Sequence, residues 1–221
     1  MTHRDEPAGE YAYADEGQLL TALDAALAAL EAAKIPFLVV GGVASAVYGR
    51  PRWTRDIDLF FRLEDATRAL DALEGAGFET TVVDPHWLSK ARMGDVVVDV
   101  LTRSKPDVLL DDEMLERSVW ADFKGRKIRL LPPEDLLLMK AVASSEDTPR
   151  YWYDAIGIAA RSDLDWGYLT TRAKAGGARR VLAVLIYAQS NDVAVPLEPL
   201  RELADLVLGR REDVASGSAN R

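Results

Sequence analysis

The stretch VVGGVASAVYGRPRWTRDIDLFF, from Val39 to Phe61, decides how this chain is read. It runs from an apolar strand through a double glycine and a short helix to an arginine-rich loop. A second strand follows, opening with two aspartates one residue apart. Strand side chains alternate, so Asp56 and Asp58 point to one face with their stems roughly 6 to 7 Å apart. Such a pair concentrates negative charge. Two divalent ions about 3.5 to 4 Å apart, held by hard oxygen ligands, would neutralise it, and that arrangement serves displacement at phosphorus. Gly41 and Gly42 lack side chains, so their backbone N–H groups can approach a triphosphate at the positive end of the helix that follows. In the loop, Arg52, Thr54 and Arg55 are candidate phosphate contacts. Ser45, in the short helix, offers a hydroxyl to the same group.

A third carboxylate should complete such a site from a neighbouring strand, and VVVDVLT supplies Asp99. Embedded among Val96, Val97, Val98, Val100 and Leu101, an unpaired carboxylate would cost several kcal/mol, about 2 to 7 for a buried polar group. A metal or a donor must partner it. Bound to a metal there, Asp99 could also orient or deprotonate an attacking hydroxyl. Lys140 shares a helix face with Leu136 and Leu137, where snorkelling to solvent competes with reaching a phosphate. Arg150 and Asp154 stand four apart on an expected helix, which also suits an ordinary surface pair. Among the five tryptophans only Trp53, beside the motif, is placed to stack on a base. His86 reads as a structural loop residue.

The class is α/β (α+β). Leu20, Leu23, Leu27 and Leu30 mark a first helix, PFLVV and DIDLFF are strands, and LEDATRALDALEGAG is a helix stopped at Gly75 or Gly77. FETTVV and VVVDVLT are strands separated by a loop containing His86 and Trp87. An acidic helix follows around DVLLDDEMLERS, and SVWADF and KIRLL form a hairpin across Lys124–Gly125–Arg126. From Pro132 the pattern is helical only. Pro133 suits a first helical position, and further helices are expected near Tyr151–Arg161, Leu164–Lys174, Ala178–Gln189 and Glu198–Leu208. The expected division is an arm at 1–14, an α/β core with a mixed sheet at 15–131, a helical bundle at 132–208 and a tail at 209–221.

Composition bounds the chemistry. The 221 residues include no cysteine and two histidines, which excludes disulfide frameworks, thiolate nucleophiles and histidine-rich metal centres. A cytoplasmic location is the simplest expectation, and no segment reads as a membrane span. The net charge of −9 argues superficially against a nucleic-acid partner. Its distribution weakens that argument. Residues 1–35 hold two basic and seven acidic side chains, residues 106–135 five and eight, and residues 140–180 seven and five. The acidity therefore lies mostly in the arm and outer helices, away from the motif loop, where Arg50, Arg52 and Arg55 cluster.

The order Gly-Gly, short helix, Asp-x-Asp and later single Asp resembles the nucleotidyltransferase superfamily that includes DNA polymerase β. Gly41, Gly42, Asp56, Asp58 and Asp99 match its motif over a core of roughly Ile35 to Thr102. The wording GRPRWTRDIDL looks most like the branch of AbiEii abortive-infection toxins and similar mycobacterial toxins. That branch also carries a helix-borne Lys and an Arg-x-x-x-Asp element, and Lys140, Arg150 and Asp154 stand in those positions. Related proteins often read Lys-Asp-x-x-Asp where this chain has Tyr153–Asp154–Ala155–Ile156–Gly157.

The resemblance implies a polymerase β-like core. It also implies transfer of an NMP from a bound NTP, with Asp56, Asp58 and Asp99 as metal ligands and, with Lys140, the catalytic set. Gly41, Gly42, Ser45, Arg52, Thr54, Arg55, Lys140, Arg150 and Asp154 would bind the nucleotide. Two Mg2+ ions are the expected cofactors. A tRNA 3′ end, with a paired antitoxin, is the acceptor that the toxin branch suggests; a small molecule or a protein hydroxyl are alternatives. From a different class, a non-catalytic nucleotide- or partner-binding module would keep the same fold.

Overall fold

The computed structural model describes residues 15–105 and 107–209. The arm expected at 1–14 and almost all of the tail expected at 209–221 lie outside the described residues. Helix α1, Glu16–Ala32, opens on a capping box in which Asp15 accepts from the Gln18 amide and the Gln18 side chain accepts from Asp15. It buries Leu19, Leu23, Ala26 and Leu30 on one stripe. The chain then forms β1, Leu38–Val39, and α2, Gly41–Tyr48, so the double glycine is the first turn of the helix itself. Strand β2 is Asp56–Phe60; a single 3-10 turn at Leu63–Asp65 leads into α3, Ala66–Gly75.

Three strands follow, not the two expected: β3, Glu79–Asp84; β4, Leu88–Met93; and β5, Val96–Leu101. The segment LSKARM shows no run of large apolar residues because β4 buries only small ones, Ser89 and Ala91, against its neighbours. Helix α4, Asp112–Glu116, and the hairpin of β6, Val119–Phe123, and β7, Arg126–Leu130, complete the α/β part.

The seven strands among the described residues join one mixed sheet in the order β3-β4-β5-β2-β1-β7-β6. β2 and β5 run parallel at its centre, with Asp58 level with Asp99, while β1 is antiparallel to β2 and parallel to β7. Helices α1 and α3 pack on the face that carries Ile57, Leu59, Val96, Val98 and Val100, all buried. Five helices follow: α5, Pro133–Ala143; α6, Pro149–Arg161; α7, Trp166–Ala175; α8, Ala178–Gln189; and α9, Leu197–Leu208. The buried residues of both parts belong to one continuous core, in which each buried Leu or Phe contributes about 2 kcal/mol. α5 is the pivot, packing on α2, α6, α7 and α8. Its buried Asp135 accepts from the Tyr168 hydroxyl and pairs with Arg172, which ties α5 to α7 without leaving the carboxylate unsatisfied. Among the described residues, no helix is long and apolar enough to cross a membrane.

Candidate active site

The site lies where the carboxyl end of β1 meets α2 and the start of β2. Asp56 and Asp58 stand on one face of β2, and the parallel β5 brings Asp99 alongside. One carboxylate oxygen from each lies within 4.8 Å of the others. These hard oxygen donors could hold a divalent metal, and a cation there would relieve the crowding of three negative groups. Burial, reinforced by the charge of Asp56, pushes the Asp58 carboxyl up to about 6. Part of its charge is met by the Gly42 N–H, which donates to Asp58 Oδ2 at 3.3 Å.

The glycines are required by that approach. Gly41 has φ of +61°, and a Cβ there would lie 1.7 Å from the Asp58 carboxylate. A Cβ on Gly42 would lie 2.3 Å from the Thr54 hydroxyl. Backbone can come this close to the carboxylates only without side chains. Thr54, buried, donates to Asp56 Oδ1 at 2.7 Å and so orients a carboxylate.

Opposite the carboxylates stand cations. A cleft of about 650 Å³ is lined by Gly41, Gly42, Arg52, Thr54, Arg55, Asp56, Asp58, Asp99, Lys140 and Arg150, together with Trp53 and Tyr151. Lys140 does not snorkel. Its ammonium is buried 4.4 Å from the centre of the Tyr151 ring and 3.5 Å from Asp154, and burial lowers its pKa. The Arg150 guanidinium lies over the same ring, 5.2 Å from its centre. Tyr151 thus organises two cleft cations, a role the sequence did not disclose.

Two residues that the sequence placed among the nucleotide contacts stand behind the cleft. Ser45 is fully buried and donates to the Gly41 carbonyl at 2.7 Å, closing the first turn of α2. Asp154 is also fully buried. It is no surface partner of Arg150. It takes a two-pronged contact from Arg52, at 3.1 and 3.0 Å, with Lys140 and Arg50 each at 3.5 Å. Asp154 therefore clamps the arginine loop to α6 and holds two cleft cations in place. Lys90, also absent from the sequence reading, donates to Asp99 Oδ1 at 2.7 Å from β4.

Residues 8–190 match the family described as "Uncharacterised nucleotidyltransferase". The chain belongs to this family. The nucleotidyltransferase fold is also that of the antibiotic-resistance factor ANT(2'')-Ia, 17% identical over 80% of this chain and 94% of that one, with a TM-score of 0.51. The lincosamide antibiotic adenylyltransferase LnuA is 19% identical over 62% and 96%, with a TM-score of 0.47. A nucleotidyltransferase-like protein of Paracoccidioides brasiliensis is 17% identical over 88% and 90%, with a TM-score of 0.43. No curated protein gave a significant match. The present chain is accordingly an enzyme of this type.

Proposed function

We propose that this nucleotidyltransferase moves an NMP from an NTP to an acceptor hydroxyl with release of pyrophosphate, using two Mg2+ ions held by Asp56, Asp58 and Asp99. The observation that carries the reading is three carboxylates within 4.8 Å facing Arg52, Arg55, Lys140 and Arg150 across one cleft. Such ions, when bound, supply charge neutralisation and orientation at the reacting phosphorus. The chain does the rest. The amides at the start of α2 and the four cations steady the triphosphate, and Trp53 or Tyr151 offers a ring to the base. Lys140 meets charge developing on the leaving pyrophosphate, and Asp99, at the edge nearest β4, takes the proton of the attacking hydroxyl.

The likeness to the AbiEii branch supports a tRNA 3′ end as acceptor and an antitoxin as partner. A small molecule is the alternative, in keeping with the antibiotic-resistance role for which ANT(2'')-Ia is named. The absence of cysteine suits a reducing cytoplasm.

Incubation with each labelled NTP, Mg2+ and a cell extract divided into RNA, protein and small molecules tests the reading. Label should enter one fraction with pyrophosphate released, and Asp56→Asn should abolish both. Label confined to the RNA fraction supports the tRNA acceptor, and label confined to small molecules removes it. Binding of NTP without any pyrophosphate release would overturn transfer.

A further inference from the structure

The register of the sheet carries the carboxylates outward in two rungs. Asp58 is level with Asp99, and Asp99 is level with Lys90. Asp56 is level with Val97, and Val97 is level with Arg92. Paired residues share a face, so each aspartate of the Asp-x-Asp pair has a cation two strands away, at about 4.8 Å per strand, on the face that holds the triad. That face is open. Val97, Asp99 and Leu101 are only half-buried, whereas Val96, Val98 and Val100 are sealed beneath α1 and α3 on the other side.

The cations that line the cleft come from the arginine loop, α5 and α6; α5 and α6 pack on α2, which lies over β2 and β6, on the side of β2 away from β5. In-line displacement puts the nucleophile and the leaving group on opposite sides of the phosphorus. With pyrophosphate at Arg52 and Lys140, the acceptor must come over β5 and β4. Lys90 is the first side chain it meets past Asp99, and Arg92 is the next on that face. Lys90 is 41% exposed and directs one of its three ammonium donors to Asp99.

We propose that Lys90 is a specificity residue for the acceptor, selecting a hydroxyl that sits beside a phosphate group. The inference rests on the transfer reading above. A polycationic acceptor would approach Asp99 against Lys90 and Arg92, whereas a phosphate beside the hydroxyl pairs with the ammonium and sets the hydroxyl over Asp99.

Calorimetry with Mg2+ and a non-hydrolysable NTP analogue tests this with two pairs of probes. One pair is ribose 5-phosphate against ribose; the other is an RNA trinucleotide against its uncharged methylphosphonate counterpart. In at least one pair the anionic member should bind about tenfold more tightly or better, the size expected of one charge-assisted contact. Preference within the sugar pair assigns a small phosphorylated acceptor, and preference within the RNA pair a nucleic-acid end. Lys90→Gln should reduce the preference to about twofold, and Lys90→Arg should restore it. Equal binding within both pairs, no binding of any probe, or a preference that survives Lys90→Gln would overturn the proposal. Failure of the transfer reading shows separately, as absent pyrophosphate release in the wild-type enzyme with every NTP.

Discussion

The acid behind the cleft, Asp154, and the three acids that line it, Asp56, Asp58 and Asp99, behave in opposite ways. Asp154 is surrounded by Arg52, Lys140 and Arg50, so its charge is met within the chain. Asp58 is flanked by Asp56 and Asp99, and Lys140, a cation acting on it, is paired with Asp154 at 3.5 Å. The first is a completed ion cluster that holds structure. In the second, burial and then the like charge of Asp56 push the Asp58 carboxyl up to about 6. With Lys90 paired to Asp99 among three crowded carboxylates, the cluster is only partly compensated by the fold and has room for a cation brought from outside.

Loss of a triad carboxylate has the largest expected effect. Asp56→Asn or Asp58→Asn should lower pyrophosphate release by about a thousandfold or more, as expected when a group acting on the transition state is lost. The circular dichroism spectrum should stay unchanged, and a variant keeping a tenth of wild-type turnover would show that the triad is not the centre of the chemistry.

At the other cluster the effect falls on stability first. Asp154→Ala leaves Arg52 and buried Lys140 without their counter-charge and should cost about 3 kcal/mol in urea unfolding. Because those cations then lose their positions, KM for NTP should rise about tenfold, with a smaller change in kcat. A stable variant with wild-type KM would reduce Asp154 to a bystander.

Gly41→Ala sets a side chain against the Asp58 carboxylate at a backbone angle that L-residues seldom adopt. It should cost about 1 to 2 kcal/mol and weaken Mg2+ binding by calorimetry, whereas Gly75→Ala, where a Cβ meets nothing within 4 Å, should do neither.

The smallest effect is on pH dependence. With its pKa raised in the folded state, Asp58 takes up a proton more readily folded than unfolded, so its contribution to stability falls as pH rises from about 4 to 6. In chelator, Asp58→Asn should therefore raise Tm by a few degrees above pH 6, and the gain should vanish towards pH 4. A constant gain across that range would mean that the buried charge is not its source.

Legibility in the sequence followed the range of the interaction. Asp56 and Asp58 were readable as a pair because a strand repeats every two residues. Asp99 stood out as a carboxylate in an otherwise apolar run. The partner of Asp154 was not readable, since Arg52 lies 102 positions away and the local alternative, Arg150, is equally well spaced for a helix pair. Lys90 went unseen for another reason: β4 buries serine and alanine and so carries no hydrophobic alternation.

The residues alone pointed to most of the elements, though not β4, and to the double glycine and the three carboxylates, because each depends on local geometry or on the cost of burying a charge. Only the tertiary structure decided which charges are neutralised and which are left to be met. That choice depends on pairings across β4, β5 and β2, and between α6 and the arginine loop, that no sequence spacing encodes.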